Sequence, residues 1–163
     1  MTYSPALVAA STAISEGSAK DMARLWTDVL AELPLFAGVP KRHVRKIAGL
    51  GRQARFHPGS SIVRKGTPGD DFFVIIDGEA SVHRSRDLPP IPIGPGAYFG
   101  EMSLIDGSER SASVLADTEM LCLRLSRVPF GKMLKSEPEI AIAMLREFAG
   151  RIRRLQEERA ATL

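Results

Sequence analysis

Between Arg52 and Leu125 this chain has no room for a long helix. Glycine and proline interrupt it at Pro58-Gly59, Gly66, Pro68-Gly69, Gly78, Pro89-Pro90, Gly94-Pro95-Gly96, Gly100 and Gly107. Each proline removes a backbone donor and fixes φ, and glycine favours tight turns. The runs between these breaks are short and rich in β-formers, predicting strands over residues 61–64, 72–76, 80–83, 113–116 and 120–125. Residues 84–90 read as a hairpin excursion. Short strands at regular turn spacing predict a sandwich or barrel. In the last run Leu121, Leu123 and Leu125 share one face and Met120, Cys122 and Arg124 the other, and the leucines are assigned to the core.

On either side of this region the apolar period becomes helical. Met22, Leu25, Trp26, Val29, Leu30 and Leu33 form one stripe that runs up to Pro34. A second helix is expected to start at Pro40, with Val44, Ile47 and Ala48 inward and Gly51 at its exit. Near the other end a short helix is expected over residues 129–134. Ser136-Glu137-Pro138-Glu139 then reads as a capped start for a last helix over residues 138–159. Along it Ala141, Leu145, Phe148, Ile152 and Leu155 step by four and three, a coiled-coil-like seam. The expected layout is a loosely ordered tail (1–17), N-terminal helices (18–50), a β-roll (51–126) and C-terminal helices (127–163). The fold class is mainly β with flanking helices.

Composition removes several functions. A chain of 163 residues with 44% hydrophobic and 25% charged residues suits one domain with a sizeable core. The net charge of +3, from 22 basic and 19 acidic residues, is too small to imply nucleic-acid binding. The single Cys122 excludes an internal disulfide framework and fits a reducing compartment. No apolar run is long enough to span a bilayer, and the N-terminus lacks the basic start of a secretory signal, so a cytoplasmic protein without a transmembrane segment is expected. His43, His57 and His83 are dispersed, without metal-ligand spacing toward Cys122. There is no Gly-x-Ser-x-Gly elbow and no Walker loop, and Asp70-Asp71 reads as a strand-entry turn rather than a catalytic dyad. No catalytic residue, metal or cofactor is expected. The basic residues Lys41, Arg42, His43, Arg45, Lys46, Arg52 and Arg55 are read as a solvated face, because no aromatic is interleaved with them. Arg151, Arg153, Arg154 and Arg159, offset by Glu147, Glu157 and Glu158, are read the same way.

One segment carries chemistry. In Phe99-Gly100-Glu101-Met102-Ser103-Leu104-Ile105-Asp106-Gly107-Ser108-Glu109-Arg110-Ser111-Ala112-Ser113-Val114 a glycine frees backbone N–H groups where a short helical turn begins. Glu101 can accept hydrogen bonds from sugar hydroxyls. Arg110 follows nine residues later and offers a planar fork of donors to a phosphate, with the Ser111 hydroxyl beside it. An acid and a base held this way suit the two ends of a ribose phosphate.

This order resembles the phosphate-binding cassette of cyclic nucleotide-binding domains, found in the catabolite activator protein family, in regulatory subunits of cyclic-nucleotide-dependent kinases and in cyclic-nucleotide-gated channels. Pro58-Gly59-Ser60-Ser61-Ile62-Val63-Arg64-Lys65-Gly66 and Asp70-Asp71-Phe72-Phe73-Val74-Ile75-Ile76-Asp77-Gly78-Glu79-Ala80 resemble that family's early strands, and Leu35-Phe36 its usual entry. The likeness covers roughly residues 33–158. It implies a jelly roll of about eight strands with the cassette at residues 99–114.

The resemblance also implies the ligand. A cyclic phosphate would lie on Arg110 and on the amides of Met102 and Ser103 after Gly100, and Glu101 would take the ribose 2′-hydroxyl. Ser111 and Ala112 would touch phosphate or base. Phe99, Ile62 and Phe73 are read as base wall or as core, with core favoured for Ile62 and Phe73. Phe148, Arg151, Arg154 and Leu155 are candidates to cap the base from the last helix. The expected ligand is cAMP, with cGMP the alternative. The implied function is a ligand sensor whose C-terminal helix either lids the pocket or forms a homodimer seam. With the chain ending at Leu163, no DNA-binding domain is expected after that helix, and the effector is expected to be a separate protein or domain. The rival reading is a protein-interaction module of the same fold with no physiological nucleotide; an enzyme acting on a nucleotide ranks last.

Overall fold

Ser18 opens the first helix by a reciprocal cap. Its Oγ accepts from the Asp21 amide at 3.4 Å, and its own amide donates to Asp21 Oδ2 at 3.2 Å. These bonds hold the Asp21 carboxyl below the usual carboxylate range. The computed structural model describes residues 18–162 together with Pro5 and Ala6, so the expected tail lies, apart from those two, outside the described residues. Helix α1 spans Ala19–Ala31. Leu33, expected on its stripe, lies beyond its end in extended backbone (ψ 136°), because the residue before a proline is pushed out of the helical region. It is buried all the same. A 3-10 turn, Pro34–Phe36, leads to α2, Lys41–Gly49, with Pro40 at its N-cap.

The middle of the chain folds into two four-stranded antiparallel sheets. One has the order β1 (Arg52–Phe56), β8 (Met120–Ser126), β3 (Asp71–Asp77), β6 (Tyr98–Phe99). The other has the order β2 (Ser61–Val63), β7 (Ser113–Ala116), β4 (Ala80–His83), β5 (Ile91–Ile93). The β4–β5 hairpin encloses the expected excursion. Gly78, at φ +91°, turns β3 into β4, and a Cβ there would meet the Met120 backbone at 2.9 Å.

Strands β3 and β8 are covered on both faces. Phe72, Val74 and Ile76 with Leu121, Leu123 and Leu125 pack outward against the helices, joining Trp26, Phe36, Ile47 and Phe130. Phe73 and Ile75 with Met120 and Cys122 point into the roll, against Val63, Ala80, Val114 and Ala116. The leucines of β8 are core as expected, and Met120 and Cys122 on the opposite face are core as well.

Between α3 (Glu101–Asp106), which caps one end of the roll, and the C-terminus lie α4, Arg127–Ser136, and α5, Pro138–Ala161. The expected Ser136 cap is not formed. Glu137 holds the N-cap of α5 without a side-chain bond, and Ser136 Oγ donates back to the Met133 carbonyl, closing α4 instead. Pro138, with no N–H, leaves one donor fewer to cap. The expected seam is divided: α5 buries Ile140, Ala143 and Met144, and Phe148 packs partly against the same core. Leu145, Ile152 and Leu155 face solvent, at 56–67% exposure. None of the helices, among the described residues, is long and apolar enough to cross a membrane.

The basic run on α2 is only partly a solvated face. Arg42 pairs with Glu139 at 3.5 Å, and Lys46 with Glu137. His43 is buried between these acids, with Nε2 donating to Glu139 Oε2 at 2.9 Å and Nδ1 lying 3.8 Å from Glu137. This clasp ties α2 to the start of α5 across more than ninety residues of chain. Replacing His43 by alanine is expected to lower stability by about 1–3 kcal/mol. A double-mutant cycle with Glu139→Gln, followed by urea denaturation, checks whether the loss belongs to the pair; a coupling near zero would contradict it.

Burial pushes the Cys122 thiol up to about 12. The protonated thiol is therefore retained by the folded chain where the unfolded chain has lost its proton, and stability falls as pH rises from the unfolded value of about 8.5 toward 12. The thiol should resist maleimide at neutral pH until the chain is unfolded, and Cys122→Ala should flatten the alkaline loss of stability.

Candidate functional site

The left-handed residue Gly100 (φ +84°) turns β6 into α3, and Gly107 (φ +66°) ends that helix. A Cβ on Gly100 would fall on the Arg110 guanidinium and lie 2.6 Å from the Asp71 carbonyl. Glycine is required there for close approach as well as for conformation. Ser103 Oγ donates to the Ser108 carbonyl at 3.0 Å and closes the loop after α3. The same hydroxyl fills the space that a side chain on buried Gly69 would take.

Arg110 is held from both directions. Its amide donates to the Thr67 carbonyl at 2.9 Å, and its carbonyl accepts from the Gly66 amide at 2.9 Å. Its side chain is drawn under the turn between β2 and β3, where Nη2 donates to the Asp71 carbonyl at 2.6 Å. Arg110 is only 8% exposed, and its Nη1 is buried without a partner among the described residues. Burial lowers its pKa, while the nearby carboxylates of Asp71, Asp70 and Glu101 act in the opposite direction. A guanidinium stays charged under such a shift. An unpaired donor on a buried cation has the chemistry to pair with an anion.

This guanidinium lines a cavity of about 490 Å³ between the cassette and the second sheet. Phe99, Gly100, Glu101, Met102, Ser103, Arg110, Ser111 and Ala112, all named from the sequence, line it together. Glu101 is half-buried there and Met102 is 59% exposed at its mouth. Phe99 does two things, lining the cavity and stacking on Phe73 with ring centroids 5.3 Å apart. Phe73 is core, and Ile62 packs on that same core outside this cavity.

Four further candidates on α5 do not line the cavity. Phe148 packs against the helix–sheet core, Arg154 pairs with Glu147 at 3.3 Å, and Leu155 is exposed. Arg151, read from the sequence as cap or as solvated charge, donates from Nη2 to Tyr98 Oη at 2.6 Å. Tyr98 is itself part of the cavity wall.

Sequence reasoning missed Tyr98, Val63, Val82 and Val114 as wall, and Asp71 as the partner of Arg110. The alternation Ala80, Val82 against Ser81, His83 carried the signal for Val82. Nothing could have revealed Asp71, since its contribution is a main-chain carbonyl. Gly100→Ala is expected to cost about 1–3 kcal/mol through its positive φ and the crowding of Arg110. Gly94→Ala, where an added Cβ meets nothing within 4 Å, should leave urea denaturation unchanged and serves as control.

Residues 53–137 match the profile of the family described as "Cyclic nucleotide-binding domain". The chain is 38% identical over 121 residues to a cyclic nucleotide-gated potassium channel of Mesorhizobium japonicum, a match covering 74% of this chain and 33% of the channel. It spans about a third of the length of the curated relatives it matches. Among solved structures it superposes on the N-terminal domain of a transcriptional regulator from Streptomyces coelicolor A3(2) with a TM-score of 0.71 and 30% identity, covering 80% of this chain and 96% of that one. The regulatory domain of Toxoplasma gondii PKA, co-crystallised with cAMP, matches with a TM-score of 0.63 and 26% identity over 82% of this chain and 51% of that one.

Proposed function

The chain belongs to the cyclic nucleotide-binding domain family, and on that premise we propose that it is a cAMP-binding regulatory module that senses its ligand without turning it over. The observation that carries this reading is the buried, unpaired Arg110 Nη1 at the wall of the cavity. In this reading the guanidinium takes the cyclic phosphate, with the amides of Met102 and Ser103 beside it. Glu101 accepts the ribose 2′-hydroxyl, and Ser111 and Ala112 border phosphate or base. cAMP is preferred to cGMP because the Toxoplasma gondii relative was crystallised with it.

A ligand moves helices only where it contacts two arrangements unequally. Here the contact that would transmit the difference is Arg151 on Tyr98, because it joins α5 to the cavity wall. Phe148, Arg154 and Leu155 lie on the same helix and would meet the base only if α5 folded over the mouth. The exposed stripe of Ile142, Leu145, Ile152 and Leu155 supports the homodimer seam as the other use of α5. The setting is the cytoplasm, where an unpaired cysteine stays reduced.

Titration calorimetry with cAMP and with cGMP tests this reading. Arg110→Leu is expected to weaken cAMP binding by roughly tens- to thousands-fold, corresponding to about 2–5 kcal/mol for leaving a phosphate unpaired. A melting curve must show that the variant is folded. No heat with either nucleotide, and no shift in melting temperature, would favour the interaction module.

A further inference from the structure

The basic residues of α2 divide between two sides. Arg42, His43 and Lys46 are taken up by the acids at the start of α5. Lys41 and Arg45 turn the other way and face α1, where Lys20 and Arg24 meet them across a hollow of about 550 Å³. Its α1 wall consists of Lys20, Ala23, Arg24, Thr27 and Asp28, one face of the helix at three- and four-residue steps. Four cations therefore converge on one concavity that contains a single carboxylate, Asp28.

Asp28 is already engaged, by Lys41 at 3.2 Å. Lys20, Arg24 and Arg45 have no ion pair among the described residues. Arg24 reaches Asp21 only through space, and that carboxylate is bound by Ser18. Three unneutralised cations around one hollow repel each other. The floor beneath them is small: Ala23, and a Thr27 whose hydroxyl is already bonded to the Ala23 carbonyl at 2.7 Å. Recognition there rests on the cations of the rim.

We propose that the hollow between α1 and α2 is a docking surface for an acidic peptide segment of a partner protein, whose carboxylates pair with Lys20, Arg24 and Arg45. The Asp28–Lys41 pair shows, within the chain, the interaction that the partner would repeat on the remaining cations. A membrane is the poorer occupant, because every exposed large hydrophobic residue among the described residues lies on β5, its preceding loop, or helices α3 to α5, and none on α1 or α2. A nucleic acid is the poorer occupant too, since no exposed aromatic side chain lines the hollow for bases to stack on. The proposal does not depend on the nucleotide reading.

Fluorescence anisotropy of a labelled oligoglutamate peptide against the whole chain tests it. Wild type should bind, and Arg24→Glu/Arg45→Glu should weaken binding by roughly tenfold or more, while acquiring affinity for oligolysine. Arg84→Glu/Arg86→Glu, in the loop between β4 and β5, makes the same change in net charge and should leave binding within about twofold of wild type. Equal losses in the two variants would overturn the proposal in favour of diffuse charge attraction. So would the absence of peptide binding to wild type, or stronger binding to phosphatidylserine vesicles than to the peptide. If the double glutamate variant fails to fold, Arg24→Gln/Arg45→Gln replaces it, and its failure to weaken binding overturns the proposal equally.

Discussion

A guanidinium is costly to bury unless its donors are met, and the cassette is arranged around that constraint. Arg110 has the Asp71 carbonyl for one terminal nitrogen, main-chain bonds to Gly66 and Thr67 on either side of its own peptide unit, and three carboxylates within electrostatic reach. Two glycines keep the space clear: Gly69 beside its Nε and Gly100 beside its Nη1. These residues come from separate stretches of chain, so the position of one side chain depends on the turn before β3, the entry to α3 and the loop before β7 all being in register. The remaining terminal nitrogen, Nη1, stays buried and without a partner among the described residues, and this distinguishes the site from a charged surface loop.

The position of that loop is set in turn by β3 and β8, which are buried on both faces. Alternate side chains of the same two strands fill the helix–sheet core and the interior of the roll. Asp71, at the first residue of β3, accepts from Ser126 Oγ at the end of β8 at 2.7 Å while its carbonyl holds Arg110. At the next position along, Arg127 opens α4 and reaches back to Asp70 at 3.2 Å. The strands that organise both cores thus end at the residues that hold the guanidinium.

Much of this could be read before the structure, for definite reasons. Glycine and proline punctuation is a backbone signal, and it located β2, β3, β4, β7 and β8 to within a residue or two, whereas β1, β5 and β6 went unread because they are very short or largely exposed; the hydrophobic steps of α1 and α2 located their inner faces. The eight cassette residues could be named because they are close in sequence and their order as a motif carries the resemblance. What escaped was whatever depends on contacts between distant segments. Asp71 acts through a carbonyl, which carries no residue-specific mark. His43 gave no hint that it would be buried against Glu139. The steps of four and three along α5 suggested a single seam, but the helix meets the body of the chain through the neighbouring face of Ile140, Ala143 and Met144, leaving most of the seam in solvent.

The chain contains one tryptophan and one cysteine, and the fold puts them in different cores. Trp26 lies in the layer between the helices and the first sheet, and Cys122 lies inside the roll, both essentially without solvent contact. Each compartment therefore carries its own native reporter: indole emission for the helical layer, and alkylation by a small reagent for the interior of the barrel. Because β8 lends alternate side chains to both compartments, the two signals should be lost together when the whole chain opens. An event that loosens the helices alone would change the first signal and leave the second silent.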